Sequence, residues 1–348
     1  LLQKGGCVFQ KIKTILLVLV SSGLSFAGSV NFDFRFESDS ASYNSAAKTA
    51  GAKESSQFLM RTGRVDFKGT LNKDVSYRLR WGIDHDSDTT QHKTDNFSTQ
   101  VDYAYIQHQI SERLAFTAGK FASEVGSIEG NMSSPDIYMP SQSYKAISSN
   151  DFLYVSGGKL TYSQMEQEAS VFLANQSESQ STEQTKMAYG IVYKGSFLEK
   201  TLTTVAGYLS DEKQGTTSDV KMTTAISSLG VKWYPKPYYV AFDYIVYAQK
   251  NITAVDVNET TTTILLDAGY DFDGVIPKFK YELTTKKSGS TKDQYDGVVV
   301  GVEFKPYPED IFRYHVMVTQ MNVKPDVGNS RFEQHFLLGT RIYGDFLK

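Results

Sequence analysis

From Val30 onward the chain alternates apolar and polar residues in about sixteen segments of roughly ten residues each. The first segment is the clearest: Val30, Phe32, Phe34 and Phe36 alternate with Asn31, Asp33, Arg35 and Glu37, so one face is apolar and the other polar. Residues 58–69 continue the theme, with Val65 and Phe67 against Arg64, Asp66 and Lys68. Residues 75–84 set Val75, Tyr77, Leu79, Trp81 and Ile83 against Ser76, Arg78, Arg80 and Asp84. A period of two marks strands whose faces meet different surroundings. About nine to eleven such residues, tilted, cross a bilayer, and a closed barrel leaves no backbone group unpaired in hydrocarbon. The pattern predicts an all-β fold: a transmembrane antiparallel β-barrel of about sixteen strands.

Further strands are predicted near residues 99–109, 113–121, 152–161, 167–175, 186–194, 201–210, 220–234, 238–249, 261–272, 276–285, 295–305, 310–321 and 331–343. Residues 101–106 (VDYAYI) and 297–302 (GVVVGV) break the alternation, as a strand does when a partner subunit or an infolded loop covers it. Connections after even strands are short, such as 70–74 and 235–237. Those after odd strands are longer and polar: 38–57, 85–98, 122–151, 176–185, 211–219, 250–260, 286–294 and 322–330. That alternation fits short periplasmic turns and long outer loops. The longest connection, 122–151, is the third long loop and is predicted to fold into the lumen.

The N-terminus changes where such a barrel must go. Lys4, Lys11 and Lys13 precede a short apolar stretch, Thr14 to Leu24, and Ser25-Phe26-Ala27 offers small residues for cleavage. Residues 1–27 are predicted to be a cleaved signal peptide, and residues 28–348 one barrel domain exported to the outer membrane of a Gram-negative-type cell. The lone cysteine, Cys7, falls within that signal, which removes disulfides and Cys-based metal sites from the mature chain. Loss of three lysines from 36 basic residues leaves 33 against 39 acids, a net charge of −6, without the basic footprint of a nucleic-acid protein. The 22 tyrosines and 21 phenylalanines suit aromatic girdles facing outer-membrane lipid.

Parity nominates the pore-lining residues. Arg35, Arg64, Lys68, Arg78 and Arg80 on the first three strands, with Arg313 and Arg341 on the last two, are predicted to form one basic wall once the barrel closes. Glu124, Glu129 and Asp136 in the long loop are predicted to face it across a constriction, where a transverse field favours polar solutes. Arg61 has outward parity and is expected above the membrane band or after a bulge. The histidines, His85, His92, His108, His315 and His335, show no metal-ligand spacing, and no nucleophile motif or phosphate-cradling loop appears. No catalytic site, metal or cofactor is expected.

The run 64–79 (RVDFKGTLNKDVSYRL), the stretches 101–106 and 114–121 (LAFTAGKF), and the loop pieces 124–130 (EVGSIEG) and 133–136 (SSPD) resemble the phosphate-selective porin family of the O/P type. The resemblance covers mostly residues 60–140 and implies a trimeric channel of sixteen or more strands. It also implies arginine ladders and a basic constriction, whereas this loop carries Glu124, Glu129 and Asp136 with Lys145 as its one base. The expected function is passive diffusion of ions and small polar solutes with weak, slightly cationic selectivity. An anion- or phosphate-selective channel is the alternative, and a barrel-anchored adhesin or receptor a third. The chain ends Phe346-Leu347-Lys348, where the usual barrel terminus is aromatic.

Overall fold

In the computed structural model, residues 28–85, 97–150, 152–175, 187–214, 221–252, 257–307, 309 and 311–347 are described. The signal peptide predicted at 1–27, His92, and most of four outer loops lie outside them. Sixteen strands follow in chain order: β1 (Gly28–Tyr43), β2 (Ser55–Asn72), β3 (Val75–His85), β4 (Phe97–Ser111), β5 (Leu114–Ala122), β6 (Tyr154–Gln164), β7 (Gln167–Asn175) and β8 (Met187–Phe197). The second half comprises β9 (Leu202–Gln214), β10 (Lys221–Trp233), β11 (Tyr238–Ile252), β12 (Val257–Tyr270), β13 (Val275–Ser288), β14 (Thr291–Phe304), β15 (Phe312–Lys324) and β16 (Arg331–Leu347). Each pairs antiparallel with its neighbours, and β1 pairs with β16 as well as β2, closing the barrel.

The faces follow the sequence pattern. In β1, Phe36 is 42% exposed on the outside while Glu37 is 3% exposed on the inside. Along β11 and β13, Phe242, Tyr244, Phe279 and Leu283 face outward, and Trp233 stacks edge-on against Tyr238 beside the short turn between them. Short turns use local chemistry: Asn72 Oδ1 accepts from the Asp74 and Val75 amides, both at 2.9 Å, and Asp273-Gly274 supplies two positive φ angles.

Three departures have physical causes. Between Arg35/Thr62 and Phe36/Met60 the register slips, making Arg61 the extra residue of a bulge. The bulge turns its guanidinium inward onto Glu37 (2.5 Å) and Asp39 (2.6 Å). A second slip, between Arg80/Tyr103 and Trp81/Val101, makes Asp102 the extra residue and disrupts the alternation of residues 101–106. Residues 286–294, expected to be a long loop, are instead the ends of β13 and β14 joined by Gly289-Ser290, with Gly289 at φ 59°. Polar residues there stay paired out to Ser288 and Thr291, so polarity alone misplaced the loop.

Short helices occupy two of the long connections: α1 (Ser45–Thr49) after β1, then α2 (Ser127–Asn131) and α3 (Gln142–Ser149) after β5. Asn44 caps α1 and Ser141 caps α3 through side-chain oxygens on the Ala47 and Tyr144 amides. The connection after β5 lies inside the barrel. Its Val125, Ile147 and Phe152 pack with the inward side chains Phe121, Phe172, Val192, Leu209, Ile226, Ile245 and Leu265 of β5 to β12. The loop therefore covers an apolar patch that runs along the inner wall from β5 to β12. Farther along, Met139 packs with Val299, Met317, Met321 and Leu337, which accounts for the apolar run at 297–302.

Candidate functional site

With the loop filling the β5–β12 side, the open space lies against β1 to β4 and β16. A cavity of about 470 Å³ there has Arg64, Lys68, Arg78, Arg80, Lys194 and Arg341 in its wall, together with Asp33, Asp66 and Glu124. A second cavity, of about 460 Å³, borders the turn between β2 and β3 and shares Lys68 and Arg78 with the first. The two shared cations stand between the constriction and the short-turn end of the lumen.

Local pairing positions the cations. Arg78 makes a fork onto Asp66 at 2.6–3.1 Å, and Lys68 reaches the same carboxylate at 3.3 Å. Arg80 Nε donates to Asp102 at 3.0 Å and its Nη2 to the Tyr154 hydroxyl at 2.6 Å. Both guanidinium carbons lie 4.1 Å from the Tyr103 ring centroid. Arg64 joins this group through Asp102 (3.5 Å), Tyr154 and Ser133. Arg341 forks onto Asp33, with both contacts at 2.8 Å, and also reaches Asp136 at 2.5 Å. These are charge-assisted bonds in fixed geometry, so each cation holds its place in the wall.

The predicted wall and loop residues thus fall into distinct groups. Arg64, Lys68, Arg78, Arg80 and Arg341 border the main cavity. Arg35 does not: it is 2% exposed, and its Nη1 donates to the Pro135 and Ile137 carbonyls at 2.9 and 3.0 Å, anchoring the loop. Arg313 clamps Asp136 at 3.0 Å and Glu303 at 3.4 Å. Asp136 therefore touches the basic wall directly instead of facing it across water. Glu129 turns to the opposite wall, bonding Ser141 and Lys280, the latter at 2.6 Å. Of the three loop acids, Glu124 alone lines the main cavity, and Lys159 (3.3 Å) and Lys194 (2.8 Å) hold it.

Several participants went unnoticed in the sequence. Lys278 and Lys280 alternate with Phe279 and Tyr281 and were readable by parity as inward cations. Lys278 pairs with Glu303 at 3.2 Å, and Tyr138 donates to the same carboxylate at 2.8 Å. Asp102 and Tyr103 could not be placed, because the bulge between them and β3 has no signature in composition. His335 lies between Asp39 and Glu333, at 2.7 Å from each, and His315 lies 3.3 Å from Glu37. Among the described residues no group of three His, Cys, Asp or Glu side chains could hold a metal ion.

A closed sixteen-strand barrel with a charged lumen and an apolar exterior defines a class: a β-barrel channel of the outer membrane. The chain belongs to the phosphate-selective porin O and P family, whose model matches residues 30–228. No curated protein matches it in sequence. Solved structures share the fold at low identity. The outer-membrane channel DcaP of Acinetobacter baumannii is 11% identical with a TM-score of 0.69, over 91% of this chain and 97% of that one. An anion-selective porin from Comamonas acidovorans is 12% identical with a TM-score of 0.63, over 91% of this chain and 100% of that one. OmpT of Vibrio cholerae in its trimer form is 13% identical with a TM-score of 0.60, over 91% and 100% respectively.

Proposed function

We propose that the channel passes small hydrophilic solutes with a preference for anions, along the space between the constriction loop and the β1–β4 wall. The observation that carries this reading is the charge of the main cavity: six cations against three carboxylates border it. The weak cation preference expected from the sequence counted charge over the whole chain and loop. A permeating ion responds most to charges within a few ångströms, inside low-dielectric walls that concentrate the field. Pairing reduces but does not cancel that excess. Discrimination comes from width and charge, with no bond made or broken and no cofactor.

The test is the reversal potential of the purified protein in planar bilayers under a potassium chloride gradient. Anion preference gives the sign of a chloride-permeable pore; a cation-selective sign rejects the reading. Adding phosphate separates compact-anion selectivity, which would block chloride current at low concentration, from general anion diffusion, which would not. We also infer a homotrimer, in line with family membership and the trimeric form of the Vibrio OmpT structure. Three copies per particle by native mass spectrometry is the expected result.

A further inference from the structure

We propose that the outward face of β11 to β15, at the outer-loop end, is a docking strip for the phosphate groups of an anionic lipid in the outer leaflet. The inference concerns the exterior of the barrel and does not depend on which ion the lumen prefers.

Unbroken register from β11 to β15 fixes which side chains point outward. Ile264, Leu283, Val298 and Val318 are the last outward apolar residues of β12 to β15 toward the outer loops. Beyond that edge stand four exposed outward lysines: Lys250 on β11, Lys287 on β13, Lys292 on β14 and Lys324 on β15. Lys287 and Lys292 are direct partners across the β13–β14 ladder, where like charges repel. Asp296 is outward too, and Lys324 holds it at 3.0 Å. The remaining acids of these strand ends point inward. Glu259 pairs with Lys286 at 2.8 Å, and Asp293 accepts from the Asp326 amide at 3.0 Å. Among the described residues the strip therefore sets four cations against one carboxylate, and no ion pair neutralises Lys250, Lys287 or Lys292.

Height and charge together select the occupant. A strand rises about 3.3 Å per residue and is tilted by about 40° in such a barrel, so the Lys287 Cα lies roughly 10 Å beyond Leu283. A lysine stem can turn back toward the apolar edge and bring its ammonium to the level of lipid headgroups. Lipid chains would then lie on Ile264 and Leu283 while phosphates meet the ammoniums. A second copy of the chain fits poorly, because lysine is depleted at subunit interfaces and two such faces repel. The rim differs elsewhere. Ser40 and Ser42 on β1, Asn175 on β7 and Met187 on β8 occupy outward positions at the same end, and none is a cation. Lysines gathered on one sector mark a particular site, not a general need of the outer rim.

The experiment titrates the full mature barrel in detergent with diphosphoryl lipid A, and with the same lipid stripped of its phosphates. Native mass spectrometry counts the lipid bound. The parent should bind the phosphorylated lipid at least ~10-fold more tightly, because each lysine beside an anionic lipid contributes about fivefold. Lys250→Gln, Lys287→Gln, Lys292→Gln and Lys324→Gln combined should weaken binding of the phosphorylated lipid at least ~10-fold and leave binding of the stripped lipid unchanged. A control with the same change of charge at other exposed lysines, Lys48→Gln, Lys53→Gln, Lys73→Gln and Lys200→Gln, should bind as the parent does. Heat-modifiable gel migration confirms that each variant has folded. Should the fourfold strip variant not fold, Lys287→Gln with Lys292→Gln, which only removes a like-charge pair, decides the matter with an expected loss of at least ~5-fold. The proposal fails if the strip variants hold the phosphorylated lipid as the parent does, if the control loses as much, or if removing the phosphates makes no difference to the parent. A strip variant that keeps its lipid but changes its number of copies per particle would assign the face to a second copy and equally overturn the proposal. Lipid binding is read without current, so its failure leaves the channel reading standing.

Discussion

At the residue scale the lumen is a lattice of shared carboxylates. Asp66, Asp102 and Asp33 each hold one or two cations, so neutralising one member unbalances its neighbour. Replacing Arg78 and Arg80 together with glutamine would lower the cavity's excess from three positive charges to one. The anion-favouring reversal potential should fall by roughly two thirds, in proportion to charge; no shift would remove both residues from the permeation path. Glu124 acts in the opposite sense. Burial pushes its carboxyl up, but the Lys159 and Lys194 ammoniums outweigh burial and hold it below the usual carboxylate range. It stays ionised as the pH falls through the range where an ordinary glutamate protonates. Glu124→Gln should therefore raise the anion preference at neutral pH, and its difference from the parent should persist through that range and close only below it. A difference that closed near the ordinary glutamate pKa would contradict the clamp.

At the scale of elements, the strands were legible because membrane and water impose opposite demands on alternate side chains. All sixteen appear close to their predicted positions, from β1 with its Phe32, Phe34 and Phe36 to β16. What the sequence concealed was where the alternation is broken for a reason. The outward parity of Arg61 left a bulge as one of two readings, whereas the bulge at Asp102 depends on the pairing with β3, and the broken alternation there did not identify it. The apolar inner wall of β5 to β12 reads as a contradiction until the loop is seen lying on it. The candidate site was half visible: parity found the arginines, but not which were committed to holding the loop, as Arg35 is. That loop packing yields its own prediction. Ile147 of α3 is fully buried in the apolar cluster. Trimming it to alanine should cost about 2–5 kcal/mol of packing, mostly against loop docking and not barrel closure. Protease cutting between residues 122 and 150 should rise while heat-modifiable migration stays intact. A coupled loss of both would mean that the loop is part of the barrel's cooperative fold.

At the scale of the whole molecule, two charge distributions compete. The full chain is net negative, at −3, whereas the cavity wall is net positive. Which one an ion obeys depends on distance and screening. The Debye length is about 10 Å in 0.1 M salt and about 3 Å in 1 M salt. Chain-wide charge reaches an ion only at low ionic strength, whereas the lining acts at every ionic strength, over contact distances. If the lining governs, the channel should prefer anions at 0.1 M despite its acidic chain, and the preference should weaken by 1 M without changing sign. If the acidic surface governs, the channel should prefer cations at low salt and lose selectivity as screening grows. Reversal potentials at the two concentrations, taken at the same concentration ratio across the bilayer, distinguish the cases by sign alone. The sign at 0.1 M therefore tests whether the ring of strands, by gathering Arg64, Arg78, Arg80 and Arg341 onto one face of the opening, reverses the electrostatic character that composition assigns to the chain.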